Sequence, residues 1–300
     1  VRVGVTGAAG MLGATLVPLW RQAGAEVIAW DVADFDITDA PAALRAVREA
    51  KPDLVVHLAA YTAVDRAEDE PELALRVNGE GTANTARAAR AAGALVVYLS
   101  TDYVFDGSAR SPIRPEEQTR PLGAYARGKA AGEAAVREAG GEWLILRSGW
   151  LYGPGGVNFV DTIKARALAG QASGVVNDQI GAPTSTRLVT EVLWALVRSG
   201  ARGVWHGTAA GRVSWFEVAR LVYEAAGANA ELVTPCTTGE LGRPAARPAY
   251  SVLDCGATER RLGTGLPAWD HQVRDYVRTG VLATVGIMAA ARTAEGGGSA

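Results

Sequence analysis

Two cysteines in 300 residues, Cys236 and Cys255, exclude a disulfide framework, and their separation fits no metal-ligand spacing. That scarcity suits a reducing compartment, and both thiols read as inert packing residues. The three histidines, His57, His206 and His271, form neither a spaced ligand set nor a triad pattern, so they read as structural. No apolar run reaches the ~20 residues that span a bilayer. Val1-Arg2-Val3-Gly4-Val5 enters a strand with no leader pattern ahead of it. An excess of one charge is missing too: a formal net charge of −2 gives no generic pull toward nucleic acid or anionic membrane. The expectation is a cytoplasmic protein, monomer or homodimer, whose partner is a small molecule.

What the chain does have is apolar residues in abundance, 48% of the total, enough for a large core. Short aliphatic runs alternate with helical patterns: Val1 to Val5, Glu26 to Trp30, Leu54 to Leu58, Leu95 to Leu99 and Trp143 to Leu146 read as buried strands. Helices are expected at Met11 to Gln22, Pro41 to Ala50, Glu72 to Ala92 and Ala124 to Ala139. This rhythm predicts an α/β fold with a parallel sheet covered on both faces. After Arg147 it breaks at Gly153-Pro154-Gly155-Gly156 and Gly181-Ala182-Pro183-Thr184, where a substrate-shaping region begins.

Arg187 to Arg198 returns as a helix, and Gly203 to His206 as a last strand of the same sheet. Ser214 suits the N-cap of a helix from Trp215 to Ala226, with Gly227 after its end. A further helix is read at Leu266 to Val277. The expected division is therefore interleaved. Residues 1–148 and about 186–209 form a dinucleotide-binding unit, 149–185 and 210–280 a smaller substrate-binding unit, and 281–300 a tail. That tail carries a short apolar stretch before Glu295-Gly296-Gly297-Gly298-Ser299-Ala300, and reads as a frayed end whose apolar part packs on a neighbour.

Thr6-Gly7-Ala8-Ala9-Gly10-Met11-Leu12-Gly13 follows the first strand and opens the first helix, the context a dinucleotide-binding turn requires. Gly7, Gly10 and Gly13 let the backbone approach a pyrophosphate, while Met11 and Leu12 sit where the helix N-terminus offers free N–H groups. Asp31 ends the second strand, placed to accept hydrogen bonds from ribose hydroxyls. It leans toward NADH over NADPH, unless Arg2 or Arg21 stands near enough to take a 2′-phosphate. Asp36 and Ile37 are candidates for the adenine, with a solvated loop acid as the alternative. Ala59, Ala60, Tyr61 and Thr62 follow the third strand, where small residues would let the cofactor lie across the strand ends.

Tyr125 and Lys129 stand four residues apart on one helix face. By spacing alone they are either a proton-delivery pair or a tyrosine lying along a lysine stem. Ser100-Thr101-Asp102 ends the fourth strand, at the sheet edge where such folds place ligands. The glycine turn, Thr101 and Tyr125-Ala126-Arg127-Gly128-Lys129, in that order, resemble the extended short-chain dehydrogenase/reductase superfamily, with its Rossmann-like, doubly wound sheet, over about residues 1 to 280. Four further segments look like the dTDP-4-dehydrorhamnose reductase family. They are Ala59 to Asp65, Ser100 to Gly107, Asn177 to Thr184, and Arg247-Pro248 with Ser251-Val252-Leu253-Asp254.

The resemblance implies NADPH- or NADH-dependent reduction of a dTDP-linked 4-keto sugar in nucleotide-sugar biosynthesis. Tyr125 would act as general acid, and Lys129 would lower the Tyr125 pKa and bind the nicotinamide ribose. Thr101 would fix the carbonyl, and Asp102, Tyr103 and Trp150 would contact the sugar. For Trp150 a face packed on sugar or base is one reading and a core tryptophan the other. Tyr103 stands where related dehydratases carry an acid, which disfavours elimination. Gly123 and Gly128 depart from the family pattern and are expected to loosen the first turn of their helix, by up to ~1 kcal/mol each. Thr15 stands where some relatives place a magnesium-binding carboxylate, so no metal is expected. The alternative is a non-catalytic NADP-binding regulatory subunit like the methionine adenosyltransferase beta subunit, which the intact Thr101, Tyr125 and Lys129 disfavour.

Overall fold

A computed structural model describes residues 1–288. Five strands, β1 (Arg2–Thr6), β2 (Glu26–Trp30), β3 (Leu54–His57), β4 (Leu95–Thr101) and β5 (Trp143–Ser148), join Gly203–His206 in one six-stranded sheet. Its order is β2-β1-β3-β4-β5 and then Gly203–His206, every neighbouring pair parallel. The chain leaves β1 toward β2 on one side and later returns to β3 on the other. Loops on the two sides of β1 therefore diverge at the carboxyl edge, which opens a crevice there.

Alternate residues of each strand feed two cores. Leu54, Val56, Val97, Leu144 and Leu146 pack with Leu16 and Trp20 of the Met11–Gln22 helix and with Leu188 and Val192 of Thr186–Arg198. Val55, Val96, Tyr98 and Ile145 pack on the opposite face with Val47, Ala86, Ala89 and Val136. A third cluster, around Val218, Val222, Tyr223 and Val273, lies among Phe159–Leu168, Trp215–Ala225, Trp269–Thr279 and the paired strands Ser173–Val176 and Val233–Cys236.

Three expectations need correction. The helix read as Glu72 to Ala92 starts at Pro71 but widens into a π segment over Arg76–Gly81 before continuing as Thr82–Ala91. The helix read from Leu266 begins only at Trp269, because Ala210 N–H donates to the Pro267 carbonyl and Trp269 N–H to the Ala210 carbonyl, holding 266–268 extended. Residues 281–288 are not a loose end seeking a neighbour. Ile287 is 4% exposed within the core that contains Val3 and Leu16. The Val285 and Met288 N–H groups donate to the buried Glu191 carboxylate at 3.1 and 3.3 Å. The Glu295 to Ala300 end lies outside the described residues. Among those described, no helix is long and apolar enough to cross a membrane.

Candidate active site

The turn after β1 is built on Gly7, whose φ of +68° is left-handed and where a Cβ would stand 2.6 Å from the Ala59 nitrogen. Gly10 caps the first helix with extended backbone and no side-chain hydrogen bond, so the first-turn N–H groups face the crevice without a side-chain acceptor. Asp31 braces this turn: its carboxylate accepts from Ala9 N–H at 2.8 Å and Val32 N–H at 2.9 Å. A cleft of about 770 Å³ opens here, lined by Gly7, Gly10, Met11, Leu12, Gly13, Asp31, Asp36, Ile37, Ala59, Ala60 and Thr62 among others.

Tyr61 is the exception among the expected residues. Its hydroxyl turns away to donate to Glu70 at 2.7 Å, and Asn78 clamps its backbone, accepting from its N–H at 2.7 Å and donating to its carbonyl at 3.0 Å. Arg2 and Arg21 are also misplaced as phosphate partners. Arg2 starts β1, at the opposite end from the cleft, and pairs with Glu26, while Arg21 donates to the Val27 carbonyl. No lysine or arginine is among the described residues lining this cleft.

The cleft continues past Met11, Leu58 and Leu99 into a smaller chamber of about 310 Å³ holding Thr101, Asp102, Tyr103, Tyr125, Lys129, Trp150 and Trp215. Strand β4 carries Thr101 to the rim, and the Ala124–Ala139 helix brings Tyr125 and Lys129 beside it. The Thr101 hydroxyl donates to Asp102 Oδ1 at 3.0 Å and accepts from Tyr103 N–H, and it lines the same chamber as the Tyr125 phenol. Burial pushes the Tyr125 phenol up to about 12, against the Thr101 hydrogen bond and with help from Asp102. Asp102 itself is pushed up to about 6 by burial, held back by hydrogen bonds from Ser251 and Thr101.

The Lys129 ammonium donates to the Leu99 carbonyl at 2.7 Å and sits 4.2 Å from the centre of the Tyr98 ring. Burial lowers Lys129 to about 7, opposed by Glu133 one turn later. Glu133 is fixed in turn by Ser100 at 2.6 Å and by a two-pronged pair with Arg147 at 2.8 and 2.7 Å. Glu133 and Asn78 escaped sequence reading, and Ser251 entered it only within a family segment, because each acts through a partner remote in the chain.

His57 lies in a closed chain between Thr6 at 2.7 Å and Thr82 at 3.1 Å, and burial lowers it to about 3; His206 is lowered alike beside Arg147. Both are neutral struts. Thr15 hydrogen-bonds Thr186 at 2.8 Å, and no metal-ligand cluster occurs among the described residues.

The profile of the RmlD substrate binding domain matches residues 1–281. A dTDP-4-dehydrorhamnose reductase of Streptomyces griseus is 45% identical, covering 83% of this chain and 84% of its own. A dTDP-4-keto-6-deoxy-D-glucose reductase of Streptomyces niveus is 40% identical over 88% of this chain and 92% of its own. The solved structure of a dTDP-4-dehydrorhamnose reductase from Bacillus anthracis in complex with NADP superposes with a TM-score of 0.87 at 35% identity, covering 92% of this chain and 98% of its own. With the glycine turn, the switch-point cleft and the Thr101–Tyr125–Lys129 chamber in one crevice, this chain belongs to the RmlD substrate-binding-domain family of dTDP-4-dehydrorhamnose reductases.

Proposed function

We propose that this protein reduces the 4-keto group of dTDP-4-dehydro-L-rhamnose to give dTDP-L-rhamnose, using NADH or NADPH. The observation that carries the reading is continuity: the dinucleotide cleft runs directly into the chamber that holds both Tyr125 and Thr101. A dinucleotide fits the residues present, since the Ala59 backbone leaves no room for a Cβ at residue 7 and the helix N-terminus offers uncapped N–H groups. When bound, the reduced nicotinamide supplies the hydride.

Tyr125 holds the proton that the product oxygen needs. Because burial keeps the phenol above its ordinary value, it stays protonated at neutral pH. An alkoxide is a stronger base than a phenolate, so proton transfer from Tyr125 to the sugar oxygen runs downhill. Thr101, in the same chamber, fixes that oxygen beside the phenol by turning its one hydroxyl proton from Asp102 toward it. Gly149 completes the chamber wall, since a Cβ there would lie 2.4 Å from the Asp102 carboxyl carbon. Asp31 and Asp36, with no cation lining the same cleft among the described residues, support NADH as the better cofactor of this chain.

Turnover with dTDP-4-dehydro-L-rhamnose and each reduced cofactor, followed by loss of nicotinamide absorbance, tests the reading. NADH is expected to give the higher kcat/KM, and preference for NADPH would overturn that part. Cofactor binding without oxidation, on folded protein and intact substrate, would sink the reductase and leave a binding subunit. Tyr125→Phe is expected to lower kcat by about 100-fold or more while leaving NADH affinity nearly unchanged.

A further inference from the structure

Trp150 is held in a conformation that non-glycine residues seldom adopt. Its φ is +52°, and the flanking chain enforces it: the Trp150 carbonyl accepts from Thr184 N–H at 3.1 Å, and Leu151 pairs with Thr184 in a short parallel ladder. The strained backbone delivers the indole into a slot. On one side is Gly181, where a Cβ would come within 2.4 Å of the Trp150 ring. Trp215 stacks on the indole, with ring centres 3.6 Å apart and planes 6° from parallel.

Slot and roof are made by one piece of structure. Val213–Ser214 pairs antiparallel with Ile180–Gly181, and Trp215 then opens the next helix under a Ser214–Glu217 capping box. Phe159 braces Trp215, centre to centre at 4.3 Å. Trp215 covers one face of Trp150, which closes that face to sugar or base while Trp150 still lines the chamber.

Trp150 and Trp215 both line the chamber that holds Thr101 and Tyr125. Trp150 follows β5, whose Ser148 is paired in register with Thr101. The aromatic pair therefore shares the chamber of the proton-delivery residues, where the sugar rather than the distant base would stand. We propose that Trp215 is a specificity-determining residue, forming with Trp150 an apolar wall that takes the C5–C6 side of a 6-deoxy sugar, where the substrate carries a methyl group in place of a hydroxyl.

This rests on the reductase reading above. It gives Trp215 a sugar-binding task and makes the wall a joint between the sheet edge and the smaller lobe. Losing apolar contact with a single methyl-sized group changes discrimination by roughly 10-fold or more.

The test measures KM and kcat of wild type, Trp215→Ala and Trp215→Phe with the 4-keto sugar nucleotide, together with fluorescence titration by dTDP-L-rhamnose and by dTDP alone. Trp215→Ala is expected to raise the sugar-nucleotide KM about 10-fold or more. Its NADH KM and dTDP affinity should stay within about twofold of wild type, a margin far below that loss, and Trp215→Phe should recover most of it. A folded Trp215→Ala with unaltered sugar-nucleotide KM, or with dTDP affinity lost equally, overturns the wall while wild-type turnover leaves the reductase standing. If Trp215→Ala fails to fold, Trp215→Gln, which keeps bulk but loses the apolar ring, decides through its ratio of dTDP-L-rhamnose to dTDP affinity, and an unchanged ratio overturns the wall. An inactive wild type overturns the reductase and the wall together.

Discussion

Burial does opposite things to the two residues of the proton-delivery pair. It keeps the proton on Tyr125, and it works against the charge on Lys129. The lysine falls to about 7 in the fold from an ordinary value of 10.5. Between those values the unfolded chain binds more protons than the native one, so stability rises with pH through that window. The penalty of burying the ammonium is complete below about 7 and gone above the unfolded value. Thermal denaturation of wild type and Lys129→Met from pH 7 to 10 should show a rise in the first that is flattened in the second. Parallel curves would mean that Lys129 keeps an ordinary pKa. The identities of Thr101, Tyr125 and Lys129 were legible because local spacing and strand position suffice to pick them out. What Lys129 touches was not, since the Leu99 carbonyl and Tyr98 ring come from a strand thirty residues earlier.

At the scale of elements, the Ala124–Ala139 helix owes its position to its glycines. Gly123 lies outside the helix as its N-cap, and Glu68 accepts from the Ala124 N–H at 2.7 Å, capping the helix from another segment. At Gly128 a Cβ would stand 2.9 Å from the Ala74 carbonyl oxygen, and at Gly132 only 2.4 Å from the Tyr98 hydroxyl and 2.6 Å from the Asn78 carbonyl oxygen. The helix is pressed against the π segment, which is why it can hold Asn78, and through it the Tyr61 loop, beside the cleft. The expected loosening was a judgement from propensity alone, and close packing overrides it. Gly132→Ala should cost about 1–3 kcal/mol in a urea titration. An unchanged midpoint would show that the helix has room to shift. Strand positions were readable from aliphatic runs, and Met11–Gln22 and Ala124–Ala139 from their amphipathic pattern. The π widening was not, because a run suited to an ordinary helix carries no mark of which neighbour will crowd it.

For the whole molecule, the segment 281–288 closes the core that begins at Val3. Glu191 is buried with Arg187 as its ion-pair partner at 2.6 Å, and the Val285 and Met288 N–H groups complete its hydrogen bonding. Ile287→Ala should lower stability by about 2–5 kcal/mol, as for other large-to-small changes in a packed core. A loss under about 0.5 kcal/mol in calorimetry, the size of an ordinary surface substitution, would show the segment to be a passenger. The alternating strand and helix rhythm made the sheet legible, as did the return of Gly203–His206 to it. The docking of 281–288 was hidden because a short apolar stretch near the chain end carries no periodicity to say which surface receives it.

That docking also orders events during synthesis. A ribosome releases residues at roughly 5–20 per second, so the first strand waits on the order of tens of seconds before residue 287 exists. Through that interval Val3, Leu16 and Trp20 have been made, while Leu188, Val192 and Ile287, which cover them, are made much later. The nascent chain therefore carries an unfinished apolar face until Ile287 has been made, and the strand that holds Val3 is covered by a residue synthesised long after it.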